Sequence, residues 1–267
     1  MESKMTETEL VRLADLNVMQ YWCDSANWVQ GTEILWQQDT VMVASGLKFP
    51  ACSIAFNLAE TTAEGPAEYL SRVTSFFSGR TKYFSLLLRG HADRDLIDYC
   101  REKKIYLINE EPGMVLDAPL KPGTMPAGAV FKWVSDSRGV QDYCSVVAEA
   151  FQELAFPEDC TRGYFARAER VLSPYLIMAV AYMDGAPVST AMAMFSHGIA
   201  GIYWVGTVKA ARGRGLAEYC VREVGNAALA RGARKVILQA SQFGEPVYKR
   251  MGYREFTRYP WFICSTK

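Results

Sequence analysis

The sequence predicts an α/β (α+β) protein of two domains, and three observations carry that expectation. Its 267 residues are long for one compact unit and comfortable for two domains of about 130 residues each. Residues 117–128, DAPLKPGTMPAG, hold three prolines and two glycines, so they cannot continue a helix or an interior strand and read as a linker. On both sides of that stretch, helical and extended patterns alternate. The expected domains are therefore residues 1–126 and 127–267.

In the second half, residues 129–134 read as a short strand. Val140, Tyr143, Cys144, Val147, Ala150 and Phe151 recur at the spacing of an amphipathic helix over residues 140–153. A second helix is expected over 164–172, after Pro157 and Thr161. Strands at 175–182 and 188–196 flank Met183-Asp184-Gly185-Ala186, a hairpin turn with Asp-Gly at its centre. A strand at 202–208 runs into a Gly/Arg loop and then a helix over 216–231. That helix carries Leu216, Cys220, Val224, Ala227 and Ala228 on one side, with Gly232 placed to cap it. A buried-type strand at 236–240, a short helix at 244–250 and an extended end at 256–264 complete the half. The first half shows a similar, vaguer rhythm. Helices are expected at 10–23, 66–77 and 92–103, and strands at 41–43, 53–58, 83–88 and 105–116. The shared order at the ends of the two halves suggests an internal duplication.

The 29 basic and 29 acidic residues cancel, which argues against nucleic acid as the main partner. Seven scattered cysteines with no C-x-x-C pair read as reduced thiols, without a metal site. The polar start MESKMTETEL does not read as a secretory signal, and apolar runs such as 175–183 are strand-length. A cytoplasmic protein that does not engage membranes is expected, as a monomer or homodimer.

The informative stretch is GTVKAARGRGLA, residues 206–217. The bulky strand Ile202-Tyr203-Trp204-Val205 enters a loop with two glycines, which feeds directly into a long helix. Successive backbone N–H groups then converge on one spot, and the helix dipole adds partial positive charge. Glycine allows close approach of a ligand, and Arg212 and Arg214 bring two cations. A P-loop would need Lys-Ser/Thr where Leu216-Ala217 stand, and G-x-G-x-x-G would need a glycine at Glu218.

What fits is Arg-x-x-Gly-x-Gly/Ala, through Arg212, Gly215 and Ala217. With Tyr248-Lys249-Arg250-Met251-Gly252-Tyr253 after the strand at 236–240, residues 127–267 resemble a GNAT-superfamily N-acetyltransferase. The first half resembles the degenerate N-terminal repeat of tandem GNAT proteins, through Lys82-Tyr83-Phe84-Ser85-Leu86, Asp95-Leu96 and Glu111-Pro112-Gly113-Met114. It has no Arg-x-x-Gly-x-Gly/Ala at the matching point. The resemblance implies two GNAT-like domains, each a mixed, mostly antiparallel central sheet flanked by helices. The first is expected to lack CoA binding and to wall the acceptor pocket.

The resemblance further implies acetyl-CoA as acyl donor, without metal, and direct attack by an amine in a ternary complex. Thr207, Val208, Arg212, Gly213, Arg214, Gly215, Leu216, Ala217, Ser241 and Tyr248 would bind the donor. Lys209 stands where the family usually has proline, and Ser241 where many members have asparagine, so side-chain contacts from these two are in question. The oxyanion would be met by a backbone N–H of Thr207 or Val208, and Tyr248 would protonate the leaving thiolate. Arg212, Arg214, Lys249 and Arg250 would flank the phosphates. Glu153, Glu158, Asp159, Tyr203 and His197 are candidate bases, but none sits in a motif. Cys220 has nothing near it in sequence to lower its pKa, which argues against a covalent intermediate. The expected acceptor is a small-molecule amine. A protein lysine or N-terminus, or a non-catalytic acyl-CoA sensor or scaffold, are the alternatives.

Overall fold

The computed structural model describes residues 5–59 and 64–267, and the chain divides into two compact units. One comprises the residues up to Gly113 together with Glu255–Lys267, and the other is Met114–Arg254. This division differs from the expected domains at both ends, for physical reasons. Residues 117–128 are tied to the second unit. Asn226 accepts from the Leu120 N–H and donates to its carbonyl, at 2.8 and 2.9 Å, and Asp117 pairs with Lys235 and Arg254, both at 2.8 Å. Burial opposes the charge on Asp117, but hydrogen bonds from Arg254 and Lys235 hold its carboxyl below the usual range. At the other end, the last strand belongs to the first unit because it pairs there from Trp261 to Ser265.

The first unit runs α1 (Glu7–Ala26), β1 (Glu33–Gln37), β2 (Thr40–Ala44), β3 (Ile54–Asn57), α2 (Pro66–Phe77), β4 (Tyr83–Leu87), α3 (Arg94–Glu102) and β5 (Tyr106–Leu116), the last reaching past the unit's edge. β1, β2 and β3 form an antiparallel meander, and β4 joins β3 in parallel. No sequence pattern predicts β1, because all five of its residues are exposed and it lacks a buried alternation. α2 begins with Pro66, which has no N–H to offer, and Glu68 reaches back to the Gly65 N–H.

Beyond the β3–β4 pairing, the first unit is closed by a buried polar cluster. Arg89 makes a two-pronged pair with Asp93 at 3.0 and 2.8 Å, and its second nitrogen donates to the Ala59 carbonyl at 2.6 Å. Asn57 also donates to Asp93, at 3.0 Å. Asp15 accepts from Tyr259 at 2.9 Å and lies 3.0 Å from the His91 ring. A buried carboxylate is tolerated only when its charge is matched in this way.

Glu111 on β5 lacks a cationic partner in the hydrogen bonds described for it, and burial pushes its carboxyl up to about 7, with the Asn109 amide 3.2 Å away pulling it down. Its folded pKa is raised, so its favourable contribution is complete below about pH 4.5 and is lost as pH rises through about 7. Glu111→Gln is expected to be more stable than wild type at pH 8, by on the order of 1–3 kcal/mol. Melting temperatures of both proteins from pH 4 to 9 check this. Parallel curves would contradict it.

The second unit runs β6 (Ala129–Trp133), α4 (Ser137–Ala150), α5 (Glu158–Phe165), α6 (Ala168–Val171), β7 (Leu176–Met183), β8 (Ala186–Ser196), β9 (Ile199–Thr207), α7 (Leu216–Ala230), β10 (Val236–Gln239) and α8 (Glu245–Met251), before β11 (Arg254–Ser265). The strand order β10-β9-β8-β7-β6 is antiparallel except for the β10–β9 pair. The element order of the first unit recurs, with each central sheet mixed, mostly antiparallel and flanked by helices. Asp184 and Gly185 both adopt positive φ, 50° and 79°, as a two-residue hairpin requires. The expected helix at 164–172 is displaced. α5 starts at Glu158, straight after Pro157, and Arg167 at φ −115°, ψ 85° separates it from the single turn of α6. α4 also ends earlier than expected, at Ala150, and Phe151–Leu154 tightens into a 3₁₀ turn that ends at Ala155 with φ 56°.

Both faces of this sheet are covered. α7 packs against Ile202, Leu238, Ala191 and Ala193, in a core that includes Leu216, Cys220, Val224 and Tyr248. α4 approaches the other face so closely that a Cβ at Gly206 would lie 3.0 Å from the Ala150 side chain. Among the described residues, no helix is long and apolar enough to cross a membrane.

Candidate active site

The site begins with a strand that bends. β9 pairs with β8 in one register up to Gly206–Thr190 and in another from Tyr203–Met192, so it carries one extra residue. Trp204 absorbs the bulge at φ 49°, a conformation costly for an aromatic side chain. Side chains replace the interrupted ladder there. Tyr143 donates to the Trp204 carbonyl at 2.7 Å and Thr190 donates to it at 3.3 Å. The Trp204 indole is stacked on Phe151, with centroids 5.2 Å apart and planes at 13°, and Phe156, Tyr164 and Phe165 also surround it. Several ring contacts of about 0.5–1.5 kcal/mol each are enough to offset a strained backbone of about 1–3 kcal/mol.

The bend opens the sheet. β10 pairs in parallel with β9 only through Val236–Ala200, Ile237–Gly201 and Leu238–Ile202. β9 continues to Thr207, so its last residues run on beyond that pairing. The Val208 N–H donates to the Val188 carbonyl at 3.0 Å. That bond occupies the group expected to serve an oxyanion, which leaves Thr207 as the nearer candidate. By the alternation of an antiparallel ladder, the Thr207 N–H and C=O turn away from β8, towards the side of β10. Its carbonyl accepts from Arg212 Nε at 3.0 Å and its hydroxyl lies 2.8 Å from that of Ser189.

After β9, residues 209–211 form one 3₁₀ turn and the chain swings through Gly213 and Gly215, at φ 74° and 77°, into α7. Gly215 is the N-cap, and no side chain caps the helix. The first N–H groups of a 15-residue helix therefore face outward with its dipole behind them. Cβ atoms built on Gly213 or Gly215 meet nothing within 4 Å. This open front fits a diphosphate. Leu216 is buried below it, and Ala217 is half-buried.

The four cations expected at the phosphates differ in their availability. Arg212 pairs with Glu153, Lys249 pairs with Glu245 at 2.6 Å, and Arg250 donates to the Pro246 carbonyl at 3.1 Å. Arg214 is exposed, 3.7 Å from the Met183 sulfur, and has no carboxylate partner among the described residues. Ser241 uses its hydroxyl to accept from the Gly244 N–H at 3.3 Å, fixing the turn into α8. Tyr248 on α8 is 8% exposed and belongs to the same core cluster as Leu216, Leu238 and Ala240. Burial raises its pKa above that of an ordinary phenol, which keeps the hydroxyl protonated.

The candidate bases are dispersed. Glu153 is taken by Arg212, Glu158 by Arg162 at 2.6 Å, and Asp159 accepts the Cys160 N–H at 3.0 Å. Tyr203 is buried within β9, and His197 lies exposed in the β8–β9 turn at φ 53°. Burial pushes the Cys220 thiol up to about 12, so it is inert as a nucleophile. Among the described residues no group of His, Cys, Asp and Glu could hold a metal ion. A groove of about 470 Å³ lined by Lys132, Trp133, Asp136, Arg138, Asp142 and Tyr182 includes none of the sequence-predicted site residues.

A parted pair of parallel strands, a glycine loop and an uncapped helix together form an open anion-binding front. Residues 140–259 match the family model described as Acetyltransferase (GNAT) domain. No curated protein sequence matches the chain. Among solved structures it is similar to a GCN5-related N-acetyltransferase from Kribbella flavida, at 18% identity and a TM-score of 0.71, covering 94% of this chain and 93% of that one. A GCN5-related N-acetyltransferase from Sphaerobacter thermophilus gives 16% and 0.63, covering 94% and 85%. A tandem GNAT protein from the clavulanic acid biosynthesis pathway gives 14% and 0.63, covering 95% and 96%. At these identities the likeness is one of fold.

Proposed function

We propose that this protein is an acyl-CoA-dependent N-acetyltransferase that transfers acetyl from acetyl-CoA to an amine of a small molecule. The observation that carries the reading is the uncapped N-terminus of α7 behind two positive-φ glycines, at the open end of β9. Acetyl-CoA brings the activated thioester, and the chain supplies the environment for direct attack by the amine. The loop and α7 N–H groups hold the diphosphate, with Arg214 adding charge. The Thr207 N–H, turned towards the side of β10, stabilises the tetrahedral oxyanion. Tyr248, kept neutral by burial, donates its proton or a hydrogen bond to the departing thiolate. A thiol-release assay with acetyl-CoA and a panel of small amines tests this reading. CoA binding without release on any amine, peptides included, would favour a sensor, and release only with peptides would move the acceptor to protein.

The first unit is a repeat without CoA binding in this reading. Pro66 and Glu68 occupy the helix start that corresponds to α7, and Arg89 reaches across to Ala59 beyond the β3–β4 pairing. One CoA per chain is the expected stoichiometry in a calorimetric titration. Two equivalent sites would overturn it.

A further inference from the structure

The end of α4 meets the phosphate loop through two carboxylates. Glu149 accepts the Lys209 N–H at 3.0 Å, and Glu153, one turn on, pairs with Arg212. Arg212 simultaneously donates from Nε to the Thr207 carbonyl at 3.0 Å. One guanidinium is thus committed in two directions, to the end of β9 and to the 3₁₀ turn that follows α4.

We propose that Arg212 and Glu153 form a clasp that positions residues 208–215 for the phosphates of CoA, with Arg212 acting as a positioning residue. This rests on the acetyl-CoA reading of the site. A planar guanidinium offers its donors in a fixed fork, and here Nε goes to a backbone carbonyl and Nη1 to a carboxylate, which fixes the plane of the group. Swinging the guanidinium out of that plane would release the last carbonyl of β9, next to the N–H assigned to the oxyanion. The anion is already served by uncapped backbone N–H groups and by Arg214.

Size supports the same division. Both partners are more than a third exposed, at 37% and 39% of the side chain, and such pairs add little to global stability. The clasp therefore governs local geometry, and losing it should not unfold the protein. Phe151, in the same turn as Glu153, stacks on Trp204 at the β9 bulge.

The test is a double-mutant cycle in the full chain, with CoA titrated by calorimetry and acetyl-CoA varied in steady state. Glu153→Gln and Arg212→Gln are each expected to weaken CoA by about 3- to 10-fold, with KM for acetyl-CoA moving more than kcat. The double variant should bind no more weakly than Arg212→Gln, because that change alone already removes the link to Glu153. Arg212→Lys should not rescue, since one ammonium cannot span Thr207 and Glu153. Wild-type affinity in Arg212→Lys would overturn the clasp. So would unchanged or tighter CoA binding in Glu153→Gln alongside a loss above about 30-fold in Arg212→Gln. If wild type binds no CoA, the acetyl-CoA reading fails instead. Hydrogen exchange of the 208–215 amides then decides the clasp separately. Faster exchange in Glu153→Gln supports it and unchanged exchange refutes it.

Discussion

Replacing Gly215 with glutamate is expected to abolish CoA binding while leaving the fold intact. Gly215 sits at φ 77°, ψ 7°, as the N-cap of α7. A side chain there costs about 1–2 kcal/mol of backbone strain, too little to unfold a domain whose core lies beneath the neighbouring Leu216. The larger effect is electrostatic. The new Cβ meets no protein atom within 4 Å, so the carboxylate extends over the open front of the cradle. It would take the helix N–H groups for itself and repel the diphosphate they are meant to hold. Gly215→Ala separates the two effects, since it carries the strain without the charge and should lose much less affinity. Calorimetry with CoA decides the matter. Affinity of Gly215→Glu within about threefold of wild type, in a folded protein, would mean that the phosphates bind elsewhere.

Features legible in the sequence are those that a local backbone demand imposes. Asp184-Gly185, Gly213 and Gly215 all stand at positive φ, where few residues other than glycine, asparagine and aspartate are comfortable. A short motif in its strand-loop-helix context could therefore be placed on the structure without knowing any long-range contact. α7 was equally readable, because its apolar stripe and its closing glycine agree on one element.

What escaped the sequence depends on partners far along the chain. The bulge at Trp204 has no local signature, since tryptophan does not favour φ 49°. Its support comes from Tyr143, 61 positions away, and from rings on the turn after α4 and on α5. The Arg212–Glu153 pair spans 59 positions, and sequence spacing alone offered Glu153 as a base. The Pro/Gly-rich stretch misplaced the edge of the units for a similar reason. Its composition forbids regular structure, but only Asn226, Lys235 and Arg254 determine which unit it is tied to. The same holds for Asp15 of α1, which meets Arg89 and His91 of the segment between β4 and α3, whereas the Arg89–Asp93 pair lies within that segment.

Tyr248→Phe is expected to lower turnover by roughly 10- to 1,000-fold while changing folding and CoA affinity little. The hydroxyl is assigned to a proton or hydrogen bond that matters mainly as the C–S bond breaks. Phenylalanine keeps the ring, its place in the core with Leu238 and Met251, and its tilted contact with Tyr253 at 5.8 Å. Removing an interaction made only in the transition state lowers kcat and kcat/KM together and spares the Michaelis constant for acetyl-CoA. Burial raises the phenol's pKa, so its loss as a donor should not produce an activity limb below pH 9. The wild-type and variant profiles should therefore run parallel from pH 6 to 9, offset by the loss in turnover. The measurement is steady-state kinetics on whichever amine proves active, with a pre-steady-state check that chemistry limits the rate. Near-normal turnover without a burst would reduce Tyr248 to a packing residue. A large fall in CoA affinity or melting temperature would make its hydroxyl structural. In either case the cradle at Gly213 and Gly215 would stand, and the proton donor would have to be sought among other groups at the open end of β9.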